Sequence, residues 1–239
     1  MVTSEIELRV SEMAEGLVGS EIIKLAGEVK ALIAAGEKIA NLTIGDFNPS
    51  IFPIPEGLKN EIIKSYENGI TNYPAANGMP ELREVVSGYI QKRQGLNYSA
   101  DEFLISGGAR PLIYATYQAL VDPGDTVVFP VPSWNNNHYT HLSRGKAVFL
   151  ETTAEQNFMP TADDLRPYVQ EARMIAVCSP LNPTGTVFSR EQLEEICEMV
   201  IAENERRAGN EKPLYLLFDQ IYWSLTYGET VHVDPVSLR

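Results

Sequence analysis

The sequence predicts an α/β fold in which a mostly parallel sheet is covered by helices on both faces. Three observations carry that expectation. Runs rich in Val, Ile, Leu and Phe (TVVFP, KAVFL, MIAVCS, LYLLFD) are apolar throughout rather than alternating, as strands buried on both faces are. Segments with apolar residues at helical spacing separate these runs, so helix and strand alternate along the chain. The runs exit into stretches containing Gly, Pro, Asn or Asp that can turn the chain.

In chain order, Ile22, Ile23, Leu25, Ala26, Val29, Leu32 and Ile33 recur at helical spacing between Ser20, placed to cap, and Gly36, placed to stop. Residues 39–44 (IANLTI) read as a strand. It runs into GDFNPSIFPIP, whose Pro and Gly content forbids regular structure and suggests a connector between two lobes. Helices are expected over 55–68 and 80–94, then a strand at FLIS (103–106), a helix over 111–121, the turn DPGD and the strand TVVFP. A helix over 136–143, the strand KAVFL, a short helix opened by Thr161 and Asp164, and the strand MIAVCS follow. Ser189 and Gln192 form a capping-box pattern before a helix to residue 207, which precedes the buried strand LYLLFD.

A chain of 239 residues can bury a substantial core, and 44% hydrophobic with 21% charged residues is a globular rather than a disordered composition. The net charge of -13, with no Lys/Arg cluster, argues against a nucleic-acid partner. Two cysteines, Cys178 and Cys197, are too few for a disulfide scaffold, which favours a reducing compartment. The first residues have no basic patch followed by an apolar core, and no later run approaches a membrane span, so a cytoplasmic location is expected.

In parallel sheets, ligands bind where loops leave the carboxyl ends of strands. The four exits here read SGGAR, VPSWNNNH, PLNPTG and DQIYW. Gly108 and Ala109, between a strand and a helix start, offer free backbone N–H groups to an anion such as phosphate, or simply make a tight turn. Arg110 opposes the helix dipole there, a cost of about 0.3–1 kcal/mol that a bound anion would offset; otherwise it points to solvent. Asp219 ends an apolar strand and either needs a cationic partner, such as a protonated heterocycle, or caps the next turn. Tyr222 could reach the same ligand. Asn182 lies in a loop stiffened by Pro180, Pro183 and Gly185, suited to orienting a polar ligand atom or to an ordinary turn. Trp134 either stacks on a flat ring or packs in the core. His138 and His141 are spaced as metal ligands sometimes are, but no third partner accompanies them and no metal is expected.

Taken together and in order, these motifs resemble the fold-type I enzymes that use pyridoxal 5'-phosphate (PLP), specifically class I, aspartate aminotransferase-like aminotransferases. The resemblance extends over nearly the whole chain, and SPLNPTG is its most specific motif. It implies a PLP-binding large domain over residues 51–239, incomplete at its C-terminal end, with 1–50 contributing to a small domain. It further implies that backbone amides of Gly108 and Ala109 cradle the cofactor phosphate and that Trp134 stacks on the pyridine ring. Asn182 would bond the phenolic oxygen and the substrate carboxylate, Asp219 would keep the ring nitrogen protonated, and Tyr222 would bond the phenolic oxygen. NYPAANGMPELR looks like the segment whose tyrosine, here Tyr73, reaches the cofactor of a neighbouring subunit, so a homodimer is implied. NLTIGDF resembles the loop in which Gly45 would approach the substrate carboxylate. The implied reaction moves an amino group between an amino acid, aspartate or another common one, and a 2-oxo acid. Its need for an electron-accepting ring explains an acid paired to the ring nitrogen.

The sequence also departs from the family pattern. The lysine that carries the cofactor lies a few tens of residues beyond D-x-x-Y, and this chain has no lysine after Lys212; the arginine that binds the substrate carboxylate lies further on still. The chain therefore reads as a fragment of a longer enzyme, inactive alone. GDFNPSIFPIP replaces the usual G-E-P-D-F near Gly45, and Asn137 stands where a histidine often supports the aspartate, with His138 one place on. A carbon–sulfur lyase or a cyclopropane-forming synthase of the same class shares these motifs, and a regulatory domain could keep the pocket without the chemistry. A nucleotide-binding protein would show G-x-G-x-x-G, which is absent.

Overall fold

The computed structural model describes residues 10–43, 45 and 47–238. These fall into two compact units, one comprising residues 18–76 and the other residues 10–17 with 77–238. The first holds two helices, α2 (Glu21–Ala34) and α3 (Glu56–Glu67). Ser20 occupies the N-cap position of α2 without a side-chain cap bond, and Gly36 follows the helix at φ 99°. The strand expected over 39–44 does not form at residues 39–43, and Ile44 lies outside the described residues. Asn41 turns the backbone locally instead, accepting from Thr43 N at 3.1 Å and Thr43 Oγ1 at 2.6 Å, a side-chain alternative to a ladder. The Pro-rich stretch after it is irregular at its described residues 45 and 47–55, as expected.

The second unit opens with α1 (Glu12–Glu15) and contains α4 (Pro80–Gln94), α5 (Ala109–Leu120), β1 (Thr126–Val131), α6 (Asn136–Leu142), β2 (Lys146–Glu151), α7 (Ala162–Leu165), β3 (Ala172–Cys178), α8 (Arg190–Arg207) and β4 (Tyr215–Asp219). The four strands form one parallel sheet in the order β2-β1-β3-β4. Because side chains alternate along a strand, β3 sends Ile175 and Val177 into one core and Met174 and Ala176 into another. The first core is completed by Leu165 of α7 and by Leu193, Ile196, Met199 and Val200 of α8; the second by Tyr117 of α5 and Tyr139 of α6. Both faces of the central strands β1 and β3 are thus covered, which explains why these read as continuous apolar runs, while β2 and β4 at the edges stay more open.

Helix starts follow local chemistry. Ser189 Oγ accepts from Gln192 N at 3.1 Å while Gln192 Oε1 accepts from Ser189 N at 3.1 Å, and Thr161 and Asp164 make the same reciprocal pair. Two expectations need correction. Residues 103–106 (FLIS) are extended at Phe103 but pair with no strand among the described residues; their one ladder-like bond runs from Ile105 N to Asn77 O at 3.0 Å. The helix expected from Pro111 begins two residues earlier, at Ala109, because Gly108 at φ 123° turns the chain directly into it.

Candidate functional site

From β1 the chain crosses to β2 on one side and from β3 to β4 on the other, so the loops leaving Val131 and Cys178 diverge and open a crevice at the carboxyl ends of these strands. Those loops carry Trp134 and Asn182. Beside them β4 ends in Asp219, in register with Cys178.

Asp219 is half-buried. Burial pushes its carboxyl above the usual value, opposed by the Ile221 N–H, which donates to Oδ1 at 3.0 Å. The acid therefore does cap the following turn, yet its other oxygen has no hydrogen bond among the described residues, and no cation offsets its desolvation. Its strand is tied to the next exit by Ser179 N donating to Asp219 O at 2.9 Å. Three residues further along that exit chain, beyond Pro180 and Leu181, the Asn182 amide donates to the Tyr222 hydroxyl at 3.5 Å, the outer limit of a hydrogen bond. Cys178 lies under this group. Burial first, and then the Asp219 charge, push its thiol up to about 12, and it donates to Pro180 O at 3.1 Å, so it is a packing residue rather than a nucleophile.

On the other side of the crevice, Gly108 precedes α5 without any side-chain cap, which leaves first-turn amides of the helix unsatisfied. Arg110 places its guanidinium carbon 5.5 Å from the centroid of the Trp134 ring. The Trp134 loop is fixed from below: the Tyr117 hydroxyl donates to Asn136 Oδ1 at 3.0 Å, and Asn136 Nδ2 donates to Ser133 Oγ at 3.4 Å. Tyr139 links the two sides. Burial raises its phenol, Arg110's charge lowers it and Asp219's raises it further, so all three share one electrostatic neighbourhood. Sequence reasoning overlooked Tyr139 and Cys178; the signals were the inward face of a helix that also carries Asn136, and the last position of a strand in register with the acid. Asn137, one of two residues considered as Asp219's support, is exposed.

The structure thus groups Trp134, Asn182, Asp219 and Tyr222 with the Gly108–Ala109 turn at one end of one sheet. Tyr73 and Gly45 belong to the 18–76 unit, where Tyr73 is 99% exposed and Gly45 is also exposed. His141 bonds Met13 O through Nε2 at 2.7 Å, and no three His, Cys, Asp or Glu side chains converge among the described residues. A separate open groove, bordered by Arg93, Arg190, Trp223 and His232, contains none of the residues grouped at the strand exits. A half-buried acid lacking a cation, an amide–phenol pair, an indole and free helix-start amides fit a flat, protonatable ring with an anionic tail.

A family model described as aminotransferase class I and II matches residues 37–238. An aspartate aminotransferase from Bacillus sp. (strain YM-2) is 28% identical over 220 residues, 90% of this chain and 53% of that protein. One from Thermotoga maritima is 31% identical over 210 residues, 87% of this chain and 52% of its own length. The solved structure of the aspartate aminotransferase from Thermus thermophilus with maleate matches at a TM-score of 0.85 and 27% identity, covering 97% of this chain and 58% of that one. The chain spans about half the length of the curated relatives it matches.

Proposed function

We propose, from the premise that this chain belongs to the aminotransferase class I and II family, that it forms the cofactor-binding part of an enzyme moving an amino group between an amino acid and a 2-oxo acid. The observation that carries the proposal is Asp219, half-buried without a cation at the end of β4 and one strand exit from the Asn182–Tyr222 pair. Such an acid is stabilised by a protonated heterocycle and by little else this chain offers.

When bound, PLP supplies an electron sink for the charge left on the substrate's α-carbon. In this reading Asp219 holds a proton on the ring nitrogen, Trp134 stacks on the ring, and Asn182 and Tyr222 fix its phenolic oxygen. The amides of Gly108 and Ala109 take the phosphate, where the start of α5 favours negative charge. Asn182 also orients the substrate carboxylate, joined by Gly45. Residues 1–50 contribute to a small domain and 51–239 to the large one. Tyr73, exposed in its own unit, reaches the cofactor of a second subunit in a homodimer. No helix among the described residues is long and apolar enough to cross a membrane, and we place the protein in the cytoplasm. Aspartate is the amino donor suggested by the names of the relatives.

The chain alone lacks a lysine beyond Lys212 and should not turn over substrate. A protein extended to the length of its relatives should release oxo acid from an amino acid in the presence of PLP, and Asp219→Ala should abolish that release while PLP phosphate contacts persist. Near-normal turnover in the variant would refute the assignment.

A further inference from the structure

Tyr117 of α5 is fully buried among Val121, Val127, Phe129, Met174 and Ala176, where a phenylalanine would fill the same space. Its hydroxyl leads out of that apolar core. It donates to Asn136 Oδ1 at 3.0 Å, and burial pushes the phenol above its ordinary value, so it stays a donor. Asn136 Nδ2 in turn donates to Ser133 Oγ at 3.4 Å, and Thr140 Oγ1 donates to Asn136 O at 2.8 Å. One amide thus closes the loop across Trp134, from the residue before it to the first turn of α6. Asn135, inside that closure, takes a left-handed φ of 58°, a conformation that persists where its surroundings hold it. Tyr117 stands eight residues beyond Ala109 on the same uninterrupted helix, about 12 Å along its axis. One helix therefore carries the anion-facing turn at its start and the clasp on the Trp134 loop two turns later. That loop returns to the helix start, where the Arg110 guanidinium carbon lies 5.5 Å from the indole centroid.

We infer that Tyr117 is a positioning residue for cofactor binding: through Asn136 it fixes the Trp134 indole relative to the Gly108–Ala109 turn, so that stacking surface and phosphate cradle keep one spacing. The inference rests on the reading of this crevice as a PLP site. A flat ligand with an anionic tail is gripped at two points, and its affinity depends on both being held before it arrives. Tyr117 touches neither point and acts on one of them through Asn136. Loss of a neutral hydrogen bond that holds one point in place weakens binding about five-fold.

The test uses the 239-residue chain carrying Trp223→Phe, which leaves Trp134 as its tryptophan and replaces no residue grouped in the crevice. Tyr117→Phe keeps the buried ring and removes the hydroxyl; Asn136→Ala cuts the same link from the loop side. In the cofactor-free protein, the fluorescence anisotropy of Trp134 should fall in both variants. PLP titrated by absorbance should bind each of them about five-fold more weakly than the parent. In a Trp134→Ala background, Tyr117→Phe should cost no further PLP affinity, because its effect runs through the indole. Three results overturn the inference and spare the cofactor reading. They are an unchanged anisotropy, a PLP affinity within about two-fold of the parent in Tyr117→Phe, and an equal loss of affinity with and without Trp134, which marks a purely structural role. Where Tyr117→Phe fails to fold, Asn136→Ala carries the same readouts. Failure of the parent chain to bind PLP removes the cofactor reading and the inference with it.

Discussion

Replacing Asp219 by Asn should stabilise the cofactor-free protein and weaken its hold on PLP, two effects of opposite sign from one side chain. The carboxyl is raised above its ordinary value of 3.8 chiefly by burial, so its charged form is held in the folded state at a cost. Asn is nearly isosteric and keeps an oxygen to accept from Ile221 N, so no cavity opens and the turn bond at 3.0 Å survives. Removing the charge should add about 0.5–2 kcal/mol at neutral pH, the usual gain when a strained functional group is neutralised. For a chain of this size each kcal/mol moves Tm by about 2–4 °C. The pH dependence has a definite sign. With the folded value above the unfolded one, the folded state binds more protons between them, and stability falls as pH rises through that window. The advantage of Asn is therefore complete above the raised value and fades as pH falls to 3.8. Binding moves the other way, because Asn offers no charge to a protonated ring; losing a charge-assisted bond of about 1.5–3 kcal/mol weakens PLP about 10- to 100-fold. Urea denaturation of both proteins at pH 7 and pH 4, with an absorbance titration of PLP at pH 7, measures the pair of effects. An Asn variant no more stable than the parent at pH 7, or one that binds PLP equally well, would refute the reasoning.

Glu203 accepts from Arg206 Nε at 2.9 Å and Arg207 Nε at 2.6 Å, with the Glu203 and Arg207 side chains each 5% exposed. Glu203→Gln should cost about 3 kcal/mol in chemical denaturation, since it leaves the buried Arg207 without its counter-charge. The same carboxyl is held at about 2, first by its bonds to Arg206, so it contributes stability above its unfolded value of 4.5 that is lost as pH falls through about 2. The Gln variant should show a flatter acid limb over that window in a circular-dichroism titration. Gly78→Ala should destabilise by more than about 1 kcal/mol, because a Cβ there would lie 2.6 Å from Ile105 Cβ and Cγ1 at a backbone φ of +99°. Thr161→Ala should cost about 0.5–2 kcal/mol in thermal melts by removing the cap on α7.

The parallel sheet was legible because burial on both faces makes its central strands β1 and β3 apolar throughout, and TVVFP, KAVFL, MIAVC and YLLFD all form strands where their apolar runs place them. Helix starts were legible where reciprocal side-chain bonds fix them, as at Ser189 and Thr161. Residues 39–43 and 103–106 share the same apolar, β-prone composition and still form no strand. A strand needs a ladder partner, and nothing in a short run states whether one stands beside it. Motif order brought Trp134, Asn182, Asp219 and Tyr222 to one sheet end. The neighbours that set Asp219's environment were not legible, since Cys178 meets it through strand register and Tyr139 through helix packing, each 40 or more positions away in sequence.

That environment is what the fold contributes to the chemistry. An acid on an edge loop would be solvated and would hold a ring proton weakly, because water competes for both charges. Asp219 instead ends a strand whose neighbour, β3, is buried along almost its full length between α5–α6 on one face and α7–α8 on the other. The cost of desolvating its carboxylate is met by the stability of that sheet, and a cation arriving at the crevice recovers it. Arg110 is the mirror case, a cation kept in the wrong end of a helix dipole and in reach of the same crevice. Two opposite charges are each held without an ion-pair partner among the described residues at one end of the sheet. A double variant, Asp219→Asn with Arg110→Gln, should be more stable without ligand than either single variant, with the two gains adding to within about 0.5 kcal/mol in urea denaturation. A double-variant gain that exceeds the sum of the two single gains by more than about 0.5 kcal/mol would show that the two charges already neutralise each other in the empty protein.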